Sequence, residues 1–434
     1  MSGEAVFHRD LESVYPLVTH GKGSYLFTEG GGTYLDGSSG AVAANLGHGV
    51  EEIAEAMYTQ AKKVGFAHTL RFETAALHEA ASRIQALAPN GFDRVFFASG
   101  GSEANESALK LARQWHASRG DSDRHLAIGL WDNYHGNTLG ALAVGGDSAR
   151  RHHFAPMFAR TLRLPSWTEI KPEAMLEALT SLIRREGANN ISALILEPFV
   201  GSQLGAFEPS HEALRGIVEI CHRNGIVVIA DEVMSGFGRC GQHFAIERSG
   251  MTPDLITFGK GVTAGYAALS GVIVSRDIVH GIQETGGVFH HGFTYSGHPI
   301  AAAAASAALK FYVDNNVLAN VSQQGGVLRA ELDAIAATYP TLIAEVRGDG
   351  MLFALEFHAE ALPAGGSNFV NQVTMSHGLV LYPGAVRNDH AHSDGPSIRP
   401  HVLVAPPLTI TEIELSDLVR RLRLALDELV SNPV

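Results

Sequence analysis

Between about residues 94 and 275 the chain repeats one rhythm. Short aliphatic, β-branched or aromatic runs, RVFFAS, LAIGL, SALILEP, GIVVIADE, DLITFG and LSGVIVS, alternate with segments of helical spacing. These runs are too continuously apolar to leave one face wet, which predicts a mostly parallel sheet covered by helices on both sides, an α/β fold. In such a sheet ligands gather at the carboxyl ends of the strands. The residues that end the runs are therefore the first place to look for chemistry.

Outside this stretch the pattern changes. The glycine-rich turns of HGKGSYLFTEGGGTYLDGSSG predict a small antiparallel element apart from the main sheet. The segment PIAAAAASAALKFY reads as a helix with Pro299 in its first turn, and its alanines would permit close helix packing. Beyond it come a helix, a strand (GMLFALEF), a loop and a final amphipathic helix. We expect a large domain over 51–310 and a smaller α+β domain made of 311–434 with the N-terminal segment 1–50. Residues 384 to 397, polar and rich in glycine and histidine, read as a flexible loop.

A formal charge of −13 makes nucleic acid and anionic membranes poor partners. No apolar run approaches the roughly 18 residues of a membrane span. The opening MSGEAVFHRDLESVYP lacks a signal peptide's basic flank and apolar centre, so a cytoplasmic location is expected. Cys221 and Cys240 have no disulfide-framework or metal spacing and read as packing thiols. The 22 histidines include His152-His153, His290-His291 and the group His390, His392 and His401, but their spacing fits no defined metal site, and none is expected.

Four places carry candidate chemistry. Lys260 stands between Gly259 and Gly261 at the end of DLITFG; burial would lower its proton affinity toward that of a nucleophile, whereas a solvated loop lysine is the ordinary alternative. Asp231 and Glu232 end GIVVIADE, where a carboxylate could pair with a protonated ring nitrogen or simply cap a helix. In RVFFASGGSEANESALKLARQW a strand gives way to a turn of small residues, Gly100, Gly101 and Ser102, and then to a helix whose apolar positions include Ala108, Leu109, Leu111 and Ala112. The free N–H groups and dipole at that helix start suit a phosphate, although neither a P-loop nor a dinucleotide fingerprint is present. In WDNYHGNT, Tyr134 and His135 follow a strand, and the aromatic could stack on a flat ligand or pack in a core. A phosphate cup, a stacking aromatic, a strand-end acid and a desolvated lysine on successive units of one sheet together describe a pyridoxal phosphate site.

From about residue 20 to residue 425 the sequence resembles the class III pyridoxal-phosphate-dependent aminotransferases, or ω-aminotransferases. The resemblance rests on YLDGSSGAVAANLGH, SGGSEANESALKLAR, YHG, LEPFVGSQLG, DEVMSGFGRCG, TFGKG, HGFTYSGHP and VAPPL, which fall in that family's order. It implies the aspartate aminotransferase-like fold (fold type I), with Lys260 holding pyridoxal 5'-phosphate as a Schiff base and later acting as general base. It further implies that Asp231 pairs with the pyridine nitrogen and that Gly101 and Ser102, with the Gly100 backbone, take the phosphate. Tyr134, followed by His135, would lie on one ring face and Val233 on the other, with Glu197 near the ring substituents. Thr294 would reach the neighbouring subunit's phosphate, so a homodimer is the minimum assembly, with a tetramer as a further option.

Val42 stands where amine-preferring relatives often carry tryptophan, and Gly100 where many carry serine. For a substrate carboxylate, Arg399, Arg387 and Arg71 are rival candidates. The reaction implied is ping-pong transfer of an amino group from an amine or an ω- or β-amino acid to an oxo acid such as pyruvate. A racemase, a decarboxylating transaminase or an aminomutase on the same fold is the alternative.

Overall fold

The computed structural model describes residues 5–363, 365–387 and 398–431. Its centre is a seven-stranded sheet in the order Phe92–Ala98, Ser270–Ser275, Leu255–Phe258, Val227–Asp231, Ile191–Leu196, Leu126–Leu130, Leu162–Leu164. Only Ser270–Ser275 runs antiparallel to its neighbours. All six strands read from the apolar runs are present. Leu162–Leu164 is an addition, too short to show a period.

Every residue of Leu126–Leu130, Ile191–Leu196 and Val227–Asp231 is buried, as a sheet covered on both faces requires. Alternation divides these strands between two apolar clusters. Ile128, Leu194, Leu196 and Val228 face one, while Ala127, Ala193, Ile195, Val227 and Ile229 face the other with the helix Gly101–Ser118.

The glycine-rich N-terminus forms the expected antiparallel strands Val18–Lys22, Tyr25–Thr28 and Thr33–Asp36. The two-residue strand Leu379–Val380 joins them in parallel, so the beginning and the end of the chain share a sheet. A second antiparallel sheet runs Ile343–Asp349, Leu352–Phe357, Ile398–Val404, Tyr382–Arg387. Here the sequence reading needs correction. The segment taken as a loop from residue 384 begins inside the strand Tyr382–Arg387, and its remainder, 388–397, lies outside the described residues.

The helix Pro299–Asp314 starts at its proline, as expected, and is almost wholly buried. Ala301, Ala302, Ala303, Ala305 and Leu309 pack with the main sheet's core, whereas Ala304, Ala308 and Tyr312 pack with the cluster under the terminal sheets. Arg239, fully buried just beyond Val227–Asp231, ties these regions together. Its guanidinium donates to Met351 O (2.9 Å), Pro406 O (2.6 Å), Ser39 Oγ (3.2 Å) and Asn45 Oδ1 (2.8 Å). A buried charge is tolerable only with such partners, and burial pushes its proton affinity down to about 10.

Candidate active site

The strand Val227–Asp231 ends in two buried acids that alternation sends to opposite sides. Glu232 accepts from Ser235 Oγ and from Ile246 N (2.8 Å), and so braces the following turn. Asp231 turns to the ligand-facing edge. Its Oδ2 accepts from His135 Nδ1 (2.7 Å) and Asn105 Nδ2 (2.8 Å), and its Oδ1 from Val233 N (3.0 Å). Thr257 Oγ1 donates to Asn105 Oδ1 (2.7 Å), which fixes that amide in turn. The carboxylate is held from three sides.

Lys260 follows the neighbouring strand Leu255–Phe258 through Gly259 and opens a short 3-10 turn with φ 43°, in the left-handed region that side chains seldom occupy. A β-carbon at Gly259 would come within 3.3 Å of Val233 Cγ1, so glycine lets the two strand ends approach. Desolvation lowers the Lys260 ammonium to about 8, outweighing the Glu197 and Asp231 carboxylates that favour its charge. Glu197, at the end of Ile191–Leu196, is pushed up to about 8 by burial and by Asp231. The N–H groups of Tyr134 (2.7 Å) and Gly201 (3.2 Å) that its oxygens accept only partly oppose this.

At the end of Phe92–Ala98, Gly100 is the N-cap of Gly101–Ser118 and offers no side-chain cap. The first N–H groups of the helix therefore have no acceptor within it. Glu103 reaches back to Ser99 N (2.8 Å), fixing the turn. Ser102 Oγ accepts from Asn137 N (3.0 Å) and keeps its own O–H to donate. Gly136 has φ 124°, and a β-carbon there would lie 2.7 Å from Ser102 Cα. Two backbone turns thus close on each other at a helix start.

These elements surround a cavity of about 170 Å³ lined by Gly101, Ser102, Asn105, Tyr134, His135, Gly136, Glu197, Ser202, Asp231, Val233, Met234 and Lys260. Eight residues singled out in the sequence meet there: Gly101, Ser102, Tyr134, His135, Glu197, Asp231, Val233 and Lys260. The donor set fits a phosphorylated, protonated aromatic aldehyde: N–H groups for the anion, a fixed carboxylate for a ring N–H, and an amine for the carbonyl. His135 Nε2 is buried without a partner among the described residues, beside the carboxylate that its other nitrogen supports. A larger hollow of about 560 Å³, between helices Glu51–Lys63, Ala75–Leu87 and Pro299–Asp314, contains none of these groups.

The other candidates stand elsewhere. Gly100 caps the helix without lining the cavity, and its carbonyl accepts from Ser270 Oγ (2.7 Å). Thr294 is exposed in a turn and is not among the lining residues of its own chain. Val42 is fully buried with φ 57°, packed with Phe199, Cys240 and Leu403 and bordered by Met234, one step behind the cavity wall. Arg71 is exposed and donates to Leu70 O (3.1 Å). Arg399 is paired with the buried Glu356 (3.2 Å). Arg387 pairs with Ile398 at the end of its strand.

Sequence reasoning missed Asn105, Gly136, Ser202 and Met234. Asn105 had a signal, since it stands on the apolar stripe with Ala108 and Ala112, where an amide needs a partner. Among the described residues no group of three or more His, Cys, Asp or Glu could hold a metal ion, and no helix is long and apolar enough to cross a membrane. Both cysteines are buried free thiols.

The Aminotransferase class-III family matches residues 6–426. The chain is 34% identical to the uncharacterized aminotransferase YodT of Bacillus subtilis, covering 94% of each. It is 31% identical to a putrescine–pyruvate aminotransferase of Pseudomonas aeruginosa, over 95% of this chain and 90% of that one. A transaminase structure from the marine bacterium Virgibacillus superposes with a TM-score of 0.90 at 31% identity, covering 99% of this chain and 97% of the other. An amine transaminase from an uncultivated Pseudomonas species, in its PLP-bound form, gives 0.88 at 28% identity over 99% of each chain. The fold, the chemistry of the cavity and these likenesses agree: the chain belongs to the class III aminotransferases, fold type I enzymes that depend on pyridoxal 5'-phosphate.

Proposed function

We propose that this enzyme moves an amino group from an amine or an ω- or β-amino acid to an oxo acid such as pyruvate, in two alternating half-reactions. The observation that carries the reading is the pairing, across one cavity, of a lysine brought down to about 8 with a carboxylate fixed by three donors. Pyridoxal phosphate, when bound, supplies a ring that takes up the electron pair left when a proton leaves the amino-bearing carbon.

The chain's residues do the rest. Asp231 would accept a hydrogen bond from the ring N–H, and its three donors keep it from turning away. Gly101, Ser102 and the adjoining turn at Gly136 would hold the phosphate, and Tyr134 and Val233 would confine the ring. Lys260 Nζ would bind the aldehyde carbon, and once released it would take the substrate's proton and return it one carbon away. An amine with a proton affinity near 8 is partly neutral at ordinary pH and so can do both. Glu197, mostly protonated below about 8, adds no second full negative charge beside Asp231.

The same proposal includes a homodimer in which the partner copy contributes a residue. Thr294 is exposed, and so are the nearby apolar Phe66 (46%), Leu70 (75%), Phe72 (66%) and Tyr295 (58%). The Phe66 and Tyr295 rings meet edge to face at 6.1 Å. An apolar patch of this kind is what a second copy would cover. We also propose the division into a large unit over 51–310 and a smaller one of 1–50 with 311–434. It is supported by the separate apolar cluster under the terminal sheets and by the pairing of Leu379–Val380 with the N-terminal strands. A cytoplasmic workplace would keep both buried thiols reduced.

The test is product analysis on the purified holoenzyme with pyruvate and a panel of donors: putrescine, 4-aminobutanoate, β-alanine and 1-phenylethylamine. Stoichiometric alanine and the matching carbonyl product support the reading. Inverted substrate or a positional isomer, without alanine, would replace it with a racemase or an aminomutase, and carbon dioxide released together with alanine would replace it with a decarboxylating transaminase.

A further inference from the structure

A second cavity, of about 350 Å³, adjoins the first and shares Ser202 with it. Its lining is mainly polar and includes Asp147, Arg150, Gln203, Asn368 and Tyr382. Arg150 stands at the junction. Its guanidinium carbon lies 4.9 Å from the centre of the Tyr134 ring, and Tyr134 lines the lysine cavity.

The guanidinium is oriented as well as near. Asp147, itself buried, engages Arg150 Nε at 2.7 Å and accepts from Arg150 N (3.0 Å) and from Gln203 Nε2 (2.9 Å). This grip uses one edge of the guanidinium, whose carbon lies over an aromatic ring. The edge carrying Nη1 and Nη2 has no hydrogen-bond or ion-pair partner among the described residues, and 37% of the side chain is exposed. A planar cation anchored at Nε and open along its other donors presents the fork that matches a carboxylate. Asp147 cancels part of the charge at a distance, so recognition should depend on direct contact.

Two of the arginines marked from sequence offer less. Arg399 is held by Glu356, and Arg71 is exposed on a turn away from both cavities. We infer that Arg150, which lines the adjoining cavity beside the Tyr134 ring, is the anchor for a carboxylate at the far end of the substrate. This rests on the transaminase reading above and deepens it. The substrates it selects are amino acids, and the matching oxo acids, whose carboxylate is separated by several carbons from the reacting nitrogen.

The test compares wild type with Arg150→Gln and Arg150→Lys, each normalised to bound cofactor. Two donors of matched length are used: 4-aminobutanoate, which carries the carboxylate, and butylamine, which does not. In Arg150→Gln the ratio of kcat/KM for the acid over the amine should fall by about tenfold or more, the loss expected when a charged hydrogen-bonding partner is removed. The loss should lie mainly in KM, and Arg150→Lys should recover part of it. An unchanged ratio, or an equal fall for both donors, overturns the assignment and leaves Arg150 as a support for Tyr134.

A binding arm is independent of turnover: titration of the cofactor's visible absorbance with pentanoate. Binding that weakens about tenfold in Arg150→Gln supports the anchor even if no donor yields alanine, in which case only the transaminase reading fails. Alanine production with pentanoate binding unaffected by the substitution overturns the anchor alone.

Discussion

His135 Nδ1 lies 2.7 Å from Asp231 Oδ2, with both side chains buried. Because Asp231 accepts there, the proton of a neutral His135 must sit on Nδ1, which leaves Nε2 as a buried acceptor without a partner among the described residues. The histidine thus serves the acid next to it. Together with Asn105, it makes Asp231 an acceptor that can face only one way.

Asp231→Asn is therefore expected to lose chemistry before it loses the fold. The amide is nearly isosteric, but its Nδ2 would confront the donors His135 and Asn105, at a cost of about 1–3 kcal/mol. Turnover should fall by about a hundredfold or more, as when a preorganised charge partner is removed from an active site. Steady-state kinetics and a denaturant midpoint on the same preparation check the two effects. Near wild-type turnover would count against the ring-nitrogen pairing.

Two glycines of the proposed phosphate cup should respond in opposite ways. At Gly136, φ 124° and the 2.7 Å approach to Ser102 Cα leave no room for a β-carbon. Gly136→Ala should weaken cofactor retention and cost about 1–3 kcal/mol of stability. At Gly100, φ is −132° and nothing lies within 4 Å of the β-carbon position, so Gly100→Ser should fold normally. Cofactor dissociation followed by absorbance, with thermal unfolding of the two variants, separates them.

The buried acids give the cofactor-free protein an unusual pH profile. Burial pushes the Glu197 carboxyl up to about 8 and the Glu232 carboxyl up to about 7 in the folded chain, above the ordinary value of 4.5. A raised carboxyl means that the folded state binds the extra proton. Its stabilisation is complete below 4.5 and is lost as pH rises through the folded value. Lys260, lowered from 10.5 to about 8, adds a limb on the alkaline side, where stability increases as pH rises between those values. Urea unfolding should show a descent toward pH 8, with each group limited to about 1.4 kcal/mol per pH unit. Glu197→Gln should flatten part of that descent; an unchanged slope would show that Glu197 is ionised in the folded chain.

The sheet was legible because its strands are long, apolar and separated by helical spacing. Leu162–Leu164 carries no period, and YPGAVR contains a proline and a glycine, which read as turn signals. Proline is tolerated there because Tyr382–Arg387 is an edge strand, paired among the described residues only with Ile398–Val404. Of the two acids in ADE, only the pleat decides that Asp231 faces the cavity and Glu232 faces away. Arg150 was illegible for a different reason: its importance comes from Tyr134, sixteen positions back in the sequence, and from a cavity that the fold alone creates. The ion pair of Arg399 was illegible too, because Glu356 reaches it from a neighbouring strand.

Assembly can be tested without substrate. Phe72 is 66% exposed close to Phe66 and Leu70 in sequence, so Phe72→Glu changes a solvent-facing side chain and should leave the protomer folded. If this patch is covered by a second copy, a carboxylate there must be desolvated, and the variant should sediment as a monomer at concentrations where the wild type is dimeric. Activity should fall with the dimer, because the proposed Thr294 contact comes from the other copy. A dimeric variant with full activity would move the interface elsewhere.

Lys260→Ala bears on the central assignment. The residue has φ 43° and a proton affinity held near 8, so its removal deletes an ammonium that the fold stabilises poorly. Stability near neutral pH should therefore be retained or slightly improved, although alanine still suffers the left-handed backbone. Turnover is expected to disappear, because among the described residues no other amine lines the cavity to take the proton and return it. Cofactor held only by the cup and Asp231 should wash out on dialysis, and borohydride should no longer fix it to the chain. A small external amine that restored a fraction of turnover would identify the missing function as proton transfer. Near wild-type transamination by Lys260→Ala would remove Lys260 from the mechanism.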